Sequence, residues 1–189
     1  MAYINASTAN QRVKLFIIKA SDATVVDGVI TPAQTDFYSA TNNTTGAATL
    51  NTTSDPIQLP GLQDITINNA NGSYRWKQLD QAGENVITTN ATNTISGNFV
   101  LDPTAFFGKG TATAGHAEYE GLFKLSNDRT EVAFLVAPSG VTDNQTVLMG
   151  TGFISALAPT TSADSPVWVS PITLEVNGDY NASVVTLGA

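Results

Sequence analysis

The chain has no cysteine and a single histidine, and charged residues account for only 13% of its 189 positions. Without cysteine, disulfides, zinc–thiolate centres and thiol nucleophiles are excluded by arithmetic. His116 stands near Glu118 and Glu120 and could in principle act as a base, but a lone histidine at a helix start reads as a solvated residue. No serine lies in a Gly-x-Ser-x-Gly elbow. Basic residues are scarce: eight Lys and Arg face sixteen Asp and Glu, a net charge of −8. A surface of that sign repels phosphates, which argues against tight nucleic-acid binding. No run approaches the ~18 apolar residues that a membrane helix needs. The N-terminal MAYINASTANQ has neither the charged start nor the apolar stretch of a secretory signal, so the chain is expected to be made soluble in a cytoplasm.

What replaces charge is Thr, Ser and Asn, set among β-branched and aromatic residues that recur in strand-like runs. Hydrophobic residues make up 42% of the chain, enough for one core, and a single domain over 1–189 is expected. Arg12–Lys19 alternates with Val13, Leu15 and Ile17 on one face and Phe16 and Ile18 on the other. Val25–Ile30 around Asp27-Gly28 predicts a tight hairpin. Leu62–Ile67 and Ser73–Leu79 flank Asn71-Gly72 and predict a second hairpin there. Ile95, Phe99 and Leu101 mark a further strand. In 115–127 the period changes: Tyr119, Leu122 and Phe123 fall at i, i+3 and i+4, which predicts one helix. Strands are then expected at Thr130–Ala137, Thr146–Leu157 and Val167–Val176. The fold class expected is mainly β, a sandwich or barrel-like domain with one packed α-helix.

Between Ser39 and Asp55 nearly every residue is small and polar, with Leu50 the lone large apolar side chain. Such a segment is expected to be a long loop unable to bury itself in its own domain. The remaining candidate motifs favour structure over chemistry. Asp179 near Asn177 and Asn181 lacks the Asp-x-Asp-x-Asp-Gly calcium pattern and reads as a turn. Gly150-Thr-Gly152 is followed by no helix carrying Lys and Ser/Thr, so it marks close backbone packing and not a phosphate loop. Strand alternation sends Tyr74 and Trp76 to one face and Arg75 and Lys77 to the other, unlike a nucleic-acid stacking surface. No cofactor or metal is called for.

The order of the C-terminal elements carries a resemblance. A lone helix is followed by Thr-x-Val-x-Phe-x-Val at Thr130–Val136, then GTGFISALA at Gly150–Ala158, then SPITLEVNGDY at Ser170–Tyr180. Over about the last seventy residues this resembles the siphophage major tail tube proteins, with their lambda-like tail tube fold. The resemblance implies a virion structural protein and no enzyme: a subunit of hexameric rings stacked into the DNA-conducting tube of a long non-contractile tail, active in genome ejection. It implies self-association as the main partnership, with tape measure, tail tip and terminator proteins as further partners, and DNA that passes through the lumen without specific binding. An N-terminal arm (1–11), a ring-stacking loop (about 39–55, including Thr41, Asn42, Asn43, Thr44, Thr45 and Leu50) and a C-terminal arm (about 178–189) follow from it. Asp64 and Glu175, each on the polar side of a strand, are the candidate lumen-facing acids. A secreted or surface β-sandwich module of adhesin type shares the composition, as do a head decoration protein and a tail terminator protein.

Overall fold

In the computed structural model, the described residues are 13–39, 49–59, 61–77, 83–110, 115–138, 141, 145–162 and 165–185. The expected N-terminal arm lies outside them. The fold is mainly β and is organised by one antiparallel sheet. The chain opens with β1 (Lys14–Lys19), then a short hairpin of β2 (Val25–Val26) and β3 (Val29–Ile30) turning at Asp27-Gly28, as expected. There follow α1 (Gln34–Phe37), the short pair β4 (Tyr38–Ser39) and β5 (Thr49–Leu50), and β6 (Ile57–Gln58). Two long strands come next, β7 (Leu62–Lys77) and β8 (Glu84–Val100), then α2 (Pro103–Phe107) and α3 (Ala117–Asn127). The chain ends in β9 (Glu131–Ala137), β10 (Thr146–Leu157), β11 (Thr160–Ser162) and β12 (Ser165–Val184).

The main path of the sheet runs β6-β1-β9-β10-β12-β8-β7, with β11 paired to β12. Six spacings of ~4.8 Å would put β6 and β7 about 29 Å apart in a flat sheet. Yet Gln58 of β6 and Leu62 of β7 are joined by only three residues, a reach of at most ~14 Å. The sheet therefore curls until its edges approach, and Val13, just before β1, shares one surface groove with Leu62–Ile65 of β7. This curl is the barrel-like character that the strand pattern led one to expect.

Alternation along β1 and β9 builds two cores. Leu15, Ile17, Val132, Phe134 and Val136 face inward with Ile95, Phe99, Ile154, Ile172, Leu174 and the helix residues Phe106, Leu122 and Leu125. Phe16, Ile18, Ala133, Leu135 and Ala137 face the other way, onto Phe37, Tyr38, Val147, Met149 and Val185. Both faces of β1 and β9 are thus covered, as their near-continuous apolar sequences require. The first core dominates, and at ~25 cal/mol per Å² its buried side chains supply the main favourable term in folding.

Several expectations need correction. Asn71-Gly72 is not a turn. It lies inside the continuous β7, next to a register shift between Ala70 and Gly72, and the strand runs on to Lys77 before its partner returns at Glu84. Asn-Gly serves an irregular ladder as readily as a turn, and local pattern does not separate the two. Residues 178–184 are not an arm, because they continue β12 and pair with β10 through Asn181↔Met149 and Val184↔Thr146. The helical content is greater than one helix: α2 starts at Pro103, with the Asp102 carboxylate accepting from Ala105 N at 2.9 Å as its N-cap, a signal that was open to reading. Finally, α3 is interrupted at Gly121, where φ is 75° and the backbone of Phe106–Gly108 occupies the place a Cβ would take, so only glycine fits. The break rotates the stripe, so Leu122 and Leu125 are buried while Phe123 is left 53% exposed.

The glycine pair in β10 does mark close packing. A Cβ on Gly150 would lie 2.8 Å from Phe134 Cζ, and the Glu175 carbonyl fills the equivalent space beside Gly152.

Candidate functional site: a bare polar face and a projecting ribbon

The second core covers only the β1-β9-β10 part of its sheet face. Among the described residues, none of the second core covers that face along β12 up to Glu175, β8 and β7. Ladder partners place Asp64 opposite Asn98, Thr66 opposite Ser96, Asn68 opposite Thr94, and Thr94 in turn opposite Glu175. Their neighbours along each strand, Ile65, Ile67, Ile95 and Leu174, point into the first core. Asp64 and Glu175 are therefore brought to one face, although 111 sequence positions separate them, and both are exposed. Among the described residues, the positions of this face from Asp64 to Asn68, from Thr94 to Asn98 and from Val169 to Glu175 carry these two carboxylates and no lysine or arginine. The Asp64 carboxylate accepts from the backbone N and from Nδ2 of Asn98, both at 2.8 Å. That anchors the acid against its sheet and fixes where its charge sits.

At Thr94↔Glu175 the sheet forks. Beyond it β8 pairs only with β7, and the two strands project as a ribbon from Ala70↔Thr92 to Lys77↔Glu84, while β12 continues with β10. The root of the fork is pinned from β12. The Tyr180 hydroxyl lies 2.9 Å from both the Asn68 and Thr94 carbonyls, and its ring packs edge-on against Phe134 at 6.4 Å. Asn93 Nδ2 donates to the Gly178 carbonyl at 2.8 Å. Burial raises the Tyr180 phenol above its ordinary range, which keeps it a neutral donor at this junction. The ribbon itself is amphipathic: Tyr74, Trp76 and Ile87 share one side, with the two aromatic rings stacked at 6.0 Å, and Arg75, Lys77 and Glu84 share the other. This projection escaped sequence reading because Asn71-Gly72 drew the turn to the wrong place.

Of the expected stacking loop, Thr41, Asn42, Asn43, Thr44 and Thr45 lie outside the described residues. Its ends do not behave as a loop that cannot pack. Leu50 pairs with Tyr38 across β4 and β5 and rests on the second core. Asn51 donates to the Thr35 carbonyl, and the buried Ser54 donates to the Asp36 carbonyl. Only 40–48 is left for the role assigned to 39–55. His116 is the residue before α3, and its Nδ1 lies 2.9 Å from Asp22 Oδ2. That contact ties α3 to the turn after β1 and is not directed at Glu118 or Glu120. Among the described residues no group of three or more His, Asp or Glu gathers to hold a metal.

No protein-family model and no curated protein matches the chain. Solved structures do match in fold. The SPP1 tail tube, a hybrid structure from solid-state NMR and cryo-EM, aligns with 95% of this chain and 81% of its own, at 12% identity and a TM-score of 0.51. The tail of an empty gene transfer agent particle, refined with C6 symmetry, covers 82% of this chain and 100% of its own at 13% identity, with a TM-score of 0.47. The sheath–tube complex of an extracellular contractile injection system covers 68% and 83% at 12% identity, with a TM-score of 0.43. Over most of its length, therefore, this chain has the fold of the SPP1 tail tube.

Proposed function

We propose that this chain is the major tail tube subunit of a long non-contractile phage tail, assembling into hexameric rings that stack into a DNA-conducting tube. The observation that carries the reading is the bare polar face of β7, β8 and β12, on a chain whose tail tube fold spans nearly its whole length. A channel wall must let a polyanion slide. Lysine or arginine on that face would exchange counterions for phosphate contacts and hold the duplex, whereas hydroxyls, amides and two carboxylates do not. Ring closure also answers the open edges on β7 and on the free part of β12, which would otherwise invite uncontrolled pairing. In this reading Asp64 and Glu175 line the lumen, and residues 40–48 contact the adjacent ring. Tape measure, tail tip and terminator proteins bound the tube at its interior and ends, and the chain performs no reaction.

The test is negative-stain microscopy of the purified chain over a range of concentration and salt. Rings or hollow tubes are expected. A strictly monomeric species at every concentration and salt would rule the reading out, and closed dimers or trimers would favour a different virion part.

A further inference from the structure

The two Asn-Gly pairs of this chain, Asn71-Gly72 and Asn177-Gly178, border the same cleft at the fork. Asn71 lines it with Thr88 and Thr89 on the ribbon side, and Asn177 with Gly178 and Asp179 on the β12 side. Asn is a thermolabile residue, and most so before glycine, which puts no Cβ in the way when its backbone nitrogen approaches the preceding side-chain amide.

The backbone treats the two pairs differently. On the ribbon the surplus residues of the register shift, Asn90 and Ala91, lie on β8, and Gly72 keeps its place in the ladder opposite Thr89. On β12 the surplus lies beside the Asn-Gly itself: the register passes from Asn177↔Thr151 to Asn181↔Met149, so Gly178, Asp179 and Tyr180 stand against Gly150 alone. By then β8 has parted, its last ladder partner on β12 being Glu175. Gly178 is exposed, has a φ of 86°, and has nothing within 4 Å of the place a Cβ would take. Asn93 holds it by its carbonyl, which belongs to the following peptide unit. The Asn177–Gly178 peptide can therefore turn without opening a ladder. Asn177 is exposed on the side of β12 that carries Glu175, and its Nδ2 donates to Glu131 Oε1 at 3.2 Å. That tether draws the amide across β10 toward β9, and closure onto Gly178 has to release it.

We infer that Asn177 is a site of self-modification. The Gly178 nitrogen attacks Asn177 Cγ and forms the new C–N bond, the side-chain nitrogen leaves with the Gly178 proton as ammonia, and water opens the cyclic imide at either carbonyl to aspartate or isoaspartate. No oxidant or reductant is needed. Either product replaces the donor to Glu131 by a carboxylate, so a tie between β12 and β9 becomes a like-charge contact, and the face that carries Glu175 gains a negative charge. The inference stands on the fork alone and does not depend on the tube reading.

The folded full chain is incubated in mildly alkaline buffer and digested with chymotrypsin, which cuts after Tyr74, Trp168 and Tyr180. Mass spectrometry then follows the deamidated fraction at each Asn-Gly. In the folded chain Asn177 should convert at least about tenfold faster than Asn71, because the ladder at Gly72 has to open first. In chain unfolded by denaturant, where both are plain Asn-Gly pairs, the two rates should be alike. Glu131→Ala, a change near the surface, should speed conversion of Asn177 and leave Asn71 as it was; no change with Glu131→Ala overturns the role of the tether. Equal rates in the folded chain, or earlier conversion of Asn71, overturn the selection by the β12 bulge. An Asn177 that stays intact while folded and converts only when unfolded overturns the site altogether, whether or not the chain builds tubes.

Discussion

Exchanging both carboxylates of the bare face for lysine, Asp64→Lys with Glu175→Lys, separates the electrostatic role of that face from its structural one. Each exchange adds two charges, so the chain moves from a net −8 to −4. The structural cost is small. Asn98 loses an acceptor for its N–H and its amide, but the site is exposed and water takes over, so about 1 kcal/mol is expected, a fall in melting temperature of roughly 2–4 °C for a chain of this size. Glu175 makes no bond that must be replaced by a partner of the same sign. The functional effect works through the channel. One ammonium at ~8 Å from a phosphate is worth about 0.5 kcal/mol in water before screening, less than RT. A single ring would therefore hardly feel the change, but a tube repeats the contact in every subunit of every ring. At physiological salt the Debye length is ~8 Å, so the attraction survives, and near 1 M salt, at ~3 Å, it is screened away. The expected result is tubes of normal shape with DNA passage slowed at low salt and restored at high salt. Asp64→Asn, which removes one charge and keeps an acceptor for the Asn98 N–H, should change passage little. Unchanged passage at all salt concentrations, through tubes shown intact by microscopy, would refute the assignment of this face to the lumen.

Deletion of residues 40–48, leaving Leu50 and Ser54 in place, should spare the cooperative melting transition and abolish tube elongation; tubes of normal length would remove the stacking role. Phe134→Ala empties a fully buried ring site and should cost about 3–5 kcal/mol in denaturant midpoint analysis. Gly150→Ala should cost about 1–3 kcal/mol by overpacking against that ring, and Phe134→Leu in the same chain should recover part of the loss, which a double-mutant cycle measures. Tyr180→Phe should loosen the fork root, seen as faster hydrogen exchange in 84–92 with the β9 amides unaffected. Burial raises the Tyr38 phenol above its ordinary value, so its contribution to stability is fully present below pH ~10, where the unfolded phenol titrates, and is lost as pH rises further. Melting temperature should fall more steeply above pH ~10 in the parent than in Tyr38→Phe, and equal slopes would refute that cause.

Much of this protein is legible from local pattern alone. The absence of cysteine and the single histidine leave little for chemistry to work with. The alternation in Lys14–Lys19 and Glu131–Ala137 states that these strands are apolar on both sides, and the structure covers both. The glycines at 150 and 152 announce close packing, and the C-terminal succession of helix and strands points to the tail tube fold. Tertiary structure decided the rest, because the deciding interactions lie far apart along the chain. Asn71-Gly72 is as compatible with a turn as with an irregular strand, and only the ladder with Thr89–Thr92 selects the strand. Leu50 looks stranded among Thr and Asn, and only the pairing with Tyr38 gives it a core to rest on. The period through Tyr119, Leu122 and Phe123 is that of a continuous helix, but the positive φ at Gly121, packed against the backbone of Phe106–Gly108, breaks it and leaves Phe123 outward. The bare face and the ribbon have the same origin: a strand's sequence tells which side chains share a side, while which side is covered depends on where β12 parts from β8, and that is fixed by Tyr180 and Asn93 reaching across the fork.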